Sequence, residues 1–340
     1  MKLEPLPKIQ VKAQLFFKEK IMYKIFVIFF VSFALAGCSS MVKTKIVKDD
    51  RLSEYESVQF IKGMKGTENI YLDNHTSKIY VTDLSGVLYL LDKDENDSIK
   101  IIKSLKLGKC ATGITQGKDG YLYVNASEYG EEGWLKYGGA VYKVDKELKS
   151  YKGVTGLFKG INGLCTDDRG NLYFAIGDLE FFFPDGAIYK MSYNQKLKKY
   201  NPPELHIDKL GSANGLFYSN YYKALILTET FSKVSMVNLD TKAIKKVFDK
   251  SKLIEGFDDV CVDSKGRFWV AEPTGGFIKM FDPKNQKLTR YHMDGVGVAS
   301  SCRTRINNSK EYLYITEREI EKKNDGRGLI VISIDELENR

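Results

Sequence analysis

Histidine is nearly missing from this chain: there are three in 340 residues, His75, His206 and His292. A histidine-built zinc site or a Ser-His-Asp type triad therefore has little to draw on. All three fall in a predicted hairpin or in predicted outer strands, where a surface role is expected rather than a base. Proline is scarce at 7 and tryptophan at 2. The five cysteines contain no Cys-x-x-Cys spacing, which argues against zinc ribbons and thioredoxin-type redox motifs. Between residue 50 and the C-terminus no helical periodicity is sustained over four turns. Tyr and Phe, by contrast, number 21 and 19, and Gly 29, a composition that suits strands and tight turns.

The apolar run at residues 25–36 (IFVIFFVSFALA), with Lys24 before it, is too short to span a bilayer as a helix. It has the length of a signal-peptide core. It leads into Leu35-Ala36-Gly37-Cys38-Ser39-Ser40, which resembles the lipobox of bacterial lipoproteins. That resemblance implies acylation of Cys38 as the new N-terminus; an ordinary signal peptide or a buried apolar strand are the competing readings. The expected layout is a signal at 1–37, with Met22 the more natural start, a lipidated tether at 38–55, and one domain at 56–340. Such a chain sits outside the cytoplasm, held in the cell envelope by its lipid. Ser39 is not an inner-membrane retention Asp, which points to an outer membrane where the cell has one.

The net charge of +8 falls by +4 once residues 1–37 are removed. A charge near +4 over some 300 residues gives no reason to expect a nucleic-acid partner. Basic runs such as Lys196 to Lys199 read as solvated turns. Cys110, Cys165, Cys261 and Cys302 read as buried thiols, with Cys165 and Cys261 at matching places in two repeats. A disulfide partner for Cys110 stays open in an oxidising compartment.

One phrase recurs six times: a polar residue, a short apolar strand, a turn rich in Asp, Asn, Gly or Lys, and a second apolar strand. It begins at Glu68 (ENIYLDNHTSKIYVTD), Thr112, Asn162 (NGLCTDDRGNLYFAIG), Asn214, Asp258 and Ser301, at spacings of 44, 50, 52, 44 and 43. Each repeat accommodates four short antiparallel strands, the blade of a propeller. One blade cannot bury both faces, so six must close into a ring. The last repeat lacks an outer strand, and residues 57–62 are expected to supply it. The fold class is an all-β, six-bladed β-propeller closed by an N-terminal strand.

The innermost strand of a blade starts nearest the axis, so the six leading residues are expected at one mouth of the channel. Glu68, Asn162, Asn214 and Asp258, with Asp259 behind, form an oxygen-rich set that would repel itself without a cation. Hard oxygen ligands without His or Cys suit Ca²⁺, with Mg²⁺ or Mn²⁺ as alternatives. Thr112 and Ser301 are expected to line the substrate pocket.

On these residues the chain resembles the gluconolactonase and senescence-marker-protein family, together with related paraoxonase-like and strictosidine-synthase-like propellers. Glu68, Asn162-Gly-Leu, Asn214-Gly-Leu and Asp258 match the family's metal-binding positions. Asp259 stands where paraoxonase-like members have a further oxygen ligand. Two departures qualify the likeness: Thr112 replaces the catalytic His of the paraoxonase-like branch, and Gly160 replaces the Arg of the gluconolactonase-like branch. The resemblance implies calcium-dependent hydrolysis of a lactone or related ester, with Asp258 as general base or nucleophile. The competing expectation is a non-catalytic, metal-stabilised propeller that binds a small molecule or a protein. Two aromatic loops, 127–138 and 178–185, are expected to roof the mouth with Trp134 and Phe182 among their side chains. Such a roof suits an apolar substrate.

Overall fold

The computed structural model describes residues 44–339 apart from 52–53, 65, 131–135, 178–184, 250–255, 275, 294–296 and 320–326. Five four-stranded antiparallel sheets and one sheet of four antiparallel strands with a fifth, parallel strand at its edge make up the blades. Blade one holds Thr67–Leu72, Ile79–Asp83, Val87–Lys93 and Ile99–Lys106. Blade two holds Cys110–Gln116, Leu122–Ser127, Ala140–Val144 and Tyr151–Gly153. Blade three holds Ile161–Thr166, Leu172–Ile176, Gly186–Met191 and Glu204–Leu210. Blade four holds Ala213–Ser219, Ala224–Glu229, Lys233–Val237 and Ile244–Asp249. Blade five holds Val260–Val262, Phe268–Glu272, Phe277–Asp282 and Lys287–His292. Blade six holds Gly297–Asn307, Lys310–Glu319 and Arg327–Ser333, and Gln59–Lys62 pairs antiparallel to the last of these. The all-β six-bladed propeller expected from the repeat is the observed fold, and the N-terminal strand closes it.

Burial explains why the first half of each repeat is so legible. Second strands are sandwiched between neighbouring blades, and Ile79–Asp83, Leu122–Ser127 and Phe268–Glu272 are buried at every residue. Outer strands such as Ile99–Lys106 and Tyr151–Gly153 face solvent on most of their length, whereas Lys287–His292 of blade five is buried over its four middle residues. The apolar core is divided among the seams between blades. Tyr80 and Leu90 of blade one meet Ile114 and Val124 of blade two, and Ile226 of blade four meets Val260 and Phe268 of blade five. Burying a Leu, Ile or Phe side chain in such a seam is worth about 1.5–3 kcal/mol.

The inner hairpins turn as expected. Gly170 and Gly266 take positive φ and close i to i+3 turns on the carbonyls of Asp167 and Asp263. Asp263 is fully enclosed and accepts from Arg267 Nε at 2.6 Å and Trp269 Nε1 at 2.8 Å. Lys196 to Lys199 lie exposed in a small hairpin between Tyr193–Asn194 and Lys199–Tyr200.

Three features depart from the sequence expectation. Within the stretch read as a tether, Thr44–Arg51 forms a strand parallel to Lys287–His292, a fifth strand on blade five. A short C-terminal helix, Ile334–Asn339, buries Ile334 and Leu337 beside Tyr55. Its Glu336 accepts the backbone N–H groups of Glu56 and Ser57, clasping the start of the closing strand. The third is His206, read as a surface residue: it is buried on the outer strand of blade three, its ring 5.3 Å from that of Tyr173. Among the described residues no helix is long and apolar enough to cross a membrane. Cys38 and the run at 25–36 lie outside the described residues.

Candidate functional site

The inner strands of blades one, two, three, four and six open with a β-bulge. In blade one, Thr67 pairs with Asp83 and Ile70 with Val81, so Glu68 and Asn69 together oppose Thr82. The same slip falls between Ala111 and Ile114, Ile161 and Leu164, and Ala213 and Leu216. A bulge bends the strand and re-aims one side chain. Here it sets the first residue of the bulged pair at the channel mouth: Glu68, Thr112, Asn162 and Asn214. In blade five Asp258 and Asp259 precede the strand and both face Ala271: Asp258 N donates to the Ala271 carbonyl, and Ala271 N donates to the carbonyl of Asp259.

In blade six the slip lies between Ala299 and Ser301, and Ser301 pairs with Thr316. Ser300 is therefore the sixth leading residue. Ser301 takes the place behind it, alongside Asn69 and Asp259. The shift by one arises because two serines stand together and sequence spacing alone does not choose between them.

A hydroxyl or carboxamide relay fixes this ring. Thr82 accepts the N–H of Asn69 at 3.0 Å and donates to the carbonyl of Thr112 in the next blade at 2.6 Å. Thr316 accepts from Ser301 N at 2.7 Å and donates to the carbonyl of Glu68 at 3.2 Å. Thr228 accepts from Gly215 N at 2.7 Å and donates to the carbonyl of Asp258. Asn125 Nδ2 reaches the carbonyl of Asn162 at 2.6 Å. Each leading residue so addressed is tied to the blade before it. Sequence reading missed these groups, although the second strands of blades one, four and six all contain Thr-Asp or Thr-Glu.

Asn-Gly pairs usually signal turns. In this ring they do not. Gly113, Gly163 and Gly215 sit where the next blade's backbone passes, and a Cβ on them would lie 2.3 Å from Asn162 O, 2.4 Å from Asn214 O and 2.4 Å from Asp259 Cα.

Glu68 and Asp258 are both buried at the mouth, while Asn162 and Asn214 are half-buried. Burial, then the charge of Glu68, hold the Asp258 carboxyl well above the usual carboxylate range. Arg318 pulls the other way, and a hydrogen bond with Asn214 helps it. Arg318 Nη1 stands 3.9 Å from Glu68 Oε2 at the rim and belongs to the site, though no sequence signal singled it out.

Asp259, counted among the cation ligands on sequence grounds, has both oxygens engaged inside the protein. Oδ1 accepts from Val260 N at 2.8 Å. Oδ2 receives Asn69 Nδ2 at 3.2 Å, Arg303 Nη1 at 2.7 Å and the Ser301 hydroxyl. Arg303 also donates to Asn69 Oδ1 at 3.0 Å, and its guanidinium lies 5.5 Å from the Phe217 ring. Thr112 is buried and turns its hydroxyl to the carbonyls of Ile161 and Asn162, at 3.2 and 3.4 Å. Thr112 and Ser301 are thus both engaged in joining blades.

Among the described residues no three His, Cys, Asp or Glu side chains form a metal-holding group. The set at the mouth has two carboxylates and two carboxamides. Two buried acids, one raising the other's affinity for a proton, fit an oxygen-seeking divalent cation, whose charge would replace that proton. Of the aromatic roof, Trp134 and Phe182 lie outside the described residues. Tyr129 and Tyr137 are about half exposed and their ring centroids lie 5.1 Å apart. At the far end of the same inner strands a separate cavity of about 600 Å³ opens among Asp73, Phe217, Tyr218, Tyr221, Arg305 and Glu311.

Comparison with known proteins places this geometry among relatives. A regucalcin from Xenopus laevis is 27% identical over 132 residues, which cover 37% of this chain and 39% of that protein. The match therefore spans about two fifths of the curated relative's length. Two solved structures share the fold. A regucalcin from Agrobacterium tumefaciens, described as a calcium-binding protein, has a TM-score of 0.63 at 14% identity, covering 82% of this chain and 94% of its own. A gluconolactonase from Xanthomonas campestris has a TM-score of 0.58 at 17% identity, covering 81% and 89%. The model of the SMP-30/Gluconolactonase/LRE-like region matches residues 67–318, from the first bulged strand to the rim arginine, and the chain belongs to that family.

Proposed function

We propose that this propeller is a calcium-dependent hydrolase of lactones or related esters, with Glu68, Asn162, Asn214 and Asp258 holding the cation. The observation that carries the reading is the pair of buried carboxylates, Glu68 and Asp258, near enough that the charge of Glu68 adds to burial in raising the affinity of Asp258 for a proton. Family membership and the calcium-binding description of a structural relative support it. Bound there, Ca²⁺ would supply Lewis-acid polarisation of the substrate carbonyl. The protein's own groups do the rest. Asp258 takes the proton of the attacking water, or attacks as nucleophile, and the Asn162 and Asn214 carboxamides orient the substrate. Glu68 supplies the second negative charge, and Arg318 tempers it at the rim. Asp259 acts from behind: paired with Arg303, it fixes Asn69 and Ser301 and leaves the proton transfer to Asp258.

An apolar substrate is favoured by the aromatic sequence of the two loops, in the first of which Tyr129 and Tyr137 are about half exposed. Cys38 is proposed as the lipid anchor that holds the domain to the envelope outside the cytoplasm. Replacing Cys38 with Ser should move the protein from the membrane to the soluble fraction; retention on the membrane would overturn the anchor.

The deciding experiment is a calcium titration of wild type and Asp258→Ala, following melting temperature and hydrolysis of an aromatic lactone. Calcium stabilisation with turnover lost in the variant is expected. Stabilisation without turnover in wild type would favour a binding propeller instead, a reading supported by the second cavity at the opposite mouth. No response to calcium would remove the cation site.

A further inference from the structure

Cys261 lies in the inner strand of blade five and Cys302 in the inner strand of blade six. Their sulfurs face each other across the seam at 3.0 Å. Neither side chain has any exposure, and both belong to one apolar cluster with Trp269, Ile315 and Ile330. The separation leaves only about 1 Å to travel to reach the ~2.05 Å of a disulfide bond. The backbone on both sides is held in sheet, so the approach belongs to the fold and not to a loose loop.

We propose that Cys261 and Cys302 form a disulfide that stitches blade five to blade six directly behind the candidate site. The bond forms by thiol–disulfide exchange. One cysteine thiolate attacks a small disulfide oxidant, giving a mixed disulfide and releasing one thiol. The second thiolate then displaces the remaining half. Two protons and two electrons leave the cysteine pair, and the oxidant's disulfide is reduced to two thiols. Since both sulfurs are enclosed, exchange takes place while the chain folds or during transient opening of the seam.

The covalent ring so closed runs from Cys261 through the three outer strands of blade five to Cys302. It locks the seam across which the Ser301 hydroxyl donates to Asp259. The carbonyl of Cys302 accepts Arg303 Nη1 at 2.6 Å, so the staple also steadies the arginine behind the ring. When the pair is reduced, Cys302 Sγ is placed 3.2 Å from the carbonyl of Trp269, where the thiol can donate.

The test uses the full wild-type chain, refolded in a mixture of reduced and oxidised glutathione, then denatured with iodoacetamide and cut with trypsin without reductant. Peptides 253–265 and 291–303 carry one cysteine each. They should appear joined, and separate on reduction. The refolded protein should melt about 5 °C higher than in dithiothreitol, a gap that Cys261→Ser abolishes. Alkylation of both peptides before reduction, or either cysteine joined to Cys110 or Cys165 instead, would overturn the proposal. The peptide map decides on wild type alone should the variant fail to fold.

Discussion

Behind the leading residues, blades two, three and four carry glycine, at Gly113, Gly163 and Gly215; blades five, six and one carry Asp259, Ser301 and Asn69. The first half brings neighbouring backbones together by deleting side chains. A Cβ at Gly163 would intrude on Asn214 O and on the backbone nitrogen of Leu216 at 2.4 and 2.5 Å. The second half fills the same positions with polar side chains and binds them to one another through Arg303. The two carboxylates of the site, Glu68 and Asp258, stand on this second, wired half, while the carboxamides Asn162 and Asn214 stand on the glycine half. Charge is thus placed where a network exists to position it, and neutral ligands where tight backbone packing suffices.

The wired half is the more fragile to a single change. Arg303→Met would leave Asp259 enclosed without its cation, and breaking a buried pair in this way costs about 3–5 kcal/mol. Urea unfolding should show a loss near 4 kcal/mol; a loss under about 1 kcal/mol would mean that Asn69 and Ser301 satisfy Asp259 by themselves. The glycine half fails by overpacking. Gly163→Ala should cost about 3 kcal/mol, since rigid backbone, and not a flexible side chain, is what the new methyl meets. A neutral outcome by the same measurement would show that blades three and four can slide apart, and would remove the contrast between the halves.

Thr228 joins the two halves, because it spans Gly215 of blade four and the carbonyl of Asp258 in blade five. Thr228→Val keeps the shape and removes the hydroxyl, which should cost about 1–2 kcal/mol. The sharper readout is calcium affinity. If the relay positions Asp258, the variant binds calcium several-fold more weakly while a surface Thr→Val control does not. Equal affinities would confine Thr228 to stability.

Most of the fold was legible from residues alone because its strongest signal is periodic burial. Second strands such as IYVTD and LILTE are enclosed on both faces, so their apolar character repeats six times and fixes blade number and order. Closure was legible for the same reason, since blade six lacked a strand that residues 57–62 could provide. What was not legible depends on single-residue register or on contacts between distant blades. Ser300 and Ser301 are chemically identical, and only the bulge distinguishes them. Arg303 reads as one more basic residue in a strand until Asp259 and Asn69 are brought to it from 44 and 234 residues away. The Thr44–Arg51 strand carries five charged residues among its eight, and its pairing comes from the edge of blade five, not from its own composition.

The smallest effect concerns the proton that the two acids at the mouth compete for. Because the folded-state affinity of Asp258 for a proton lies above that of the unfolded chain, calcium-free protein binds more protons than its unfolded state at pH values above the usual carboxylate range. Stability on this account rises as pH falls toward that range, and the gain levels off once the unfolded carboxyl also protonates. Buried His206, whose affinity for a proton is lowered by burial and then by Lys242 and Lys190, contributes with the opposite sign, losing stability as pH drops below the ordinary histidine value. The difference between wild type and Asp258→Asn removes the histidine from the measurement. That difference should lessen in favour of wild type as pH is lowered without calcium, and flatten with pH when calcium is saturating, because a cation between Glu68 and Asp258 takes the role of the proton. A difference that stays flat without calcium would mean that the charged half of the ring is already balanced by Arg318, and that the site needs no cation to hold its two carboxylates together.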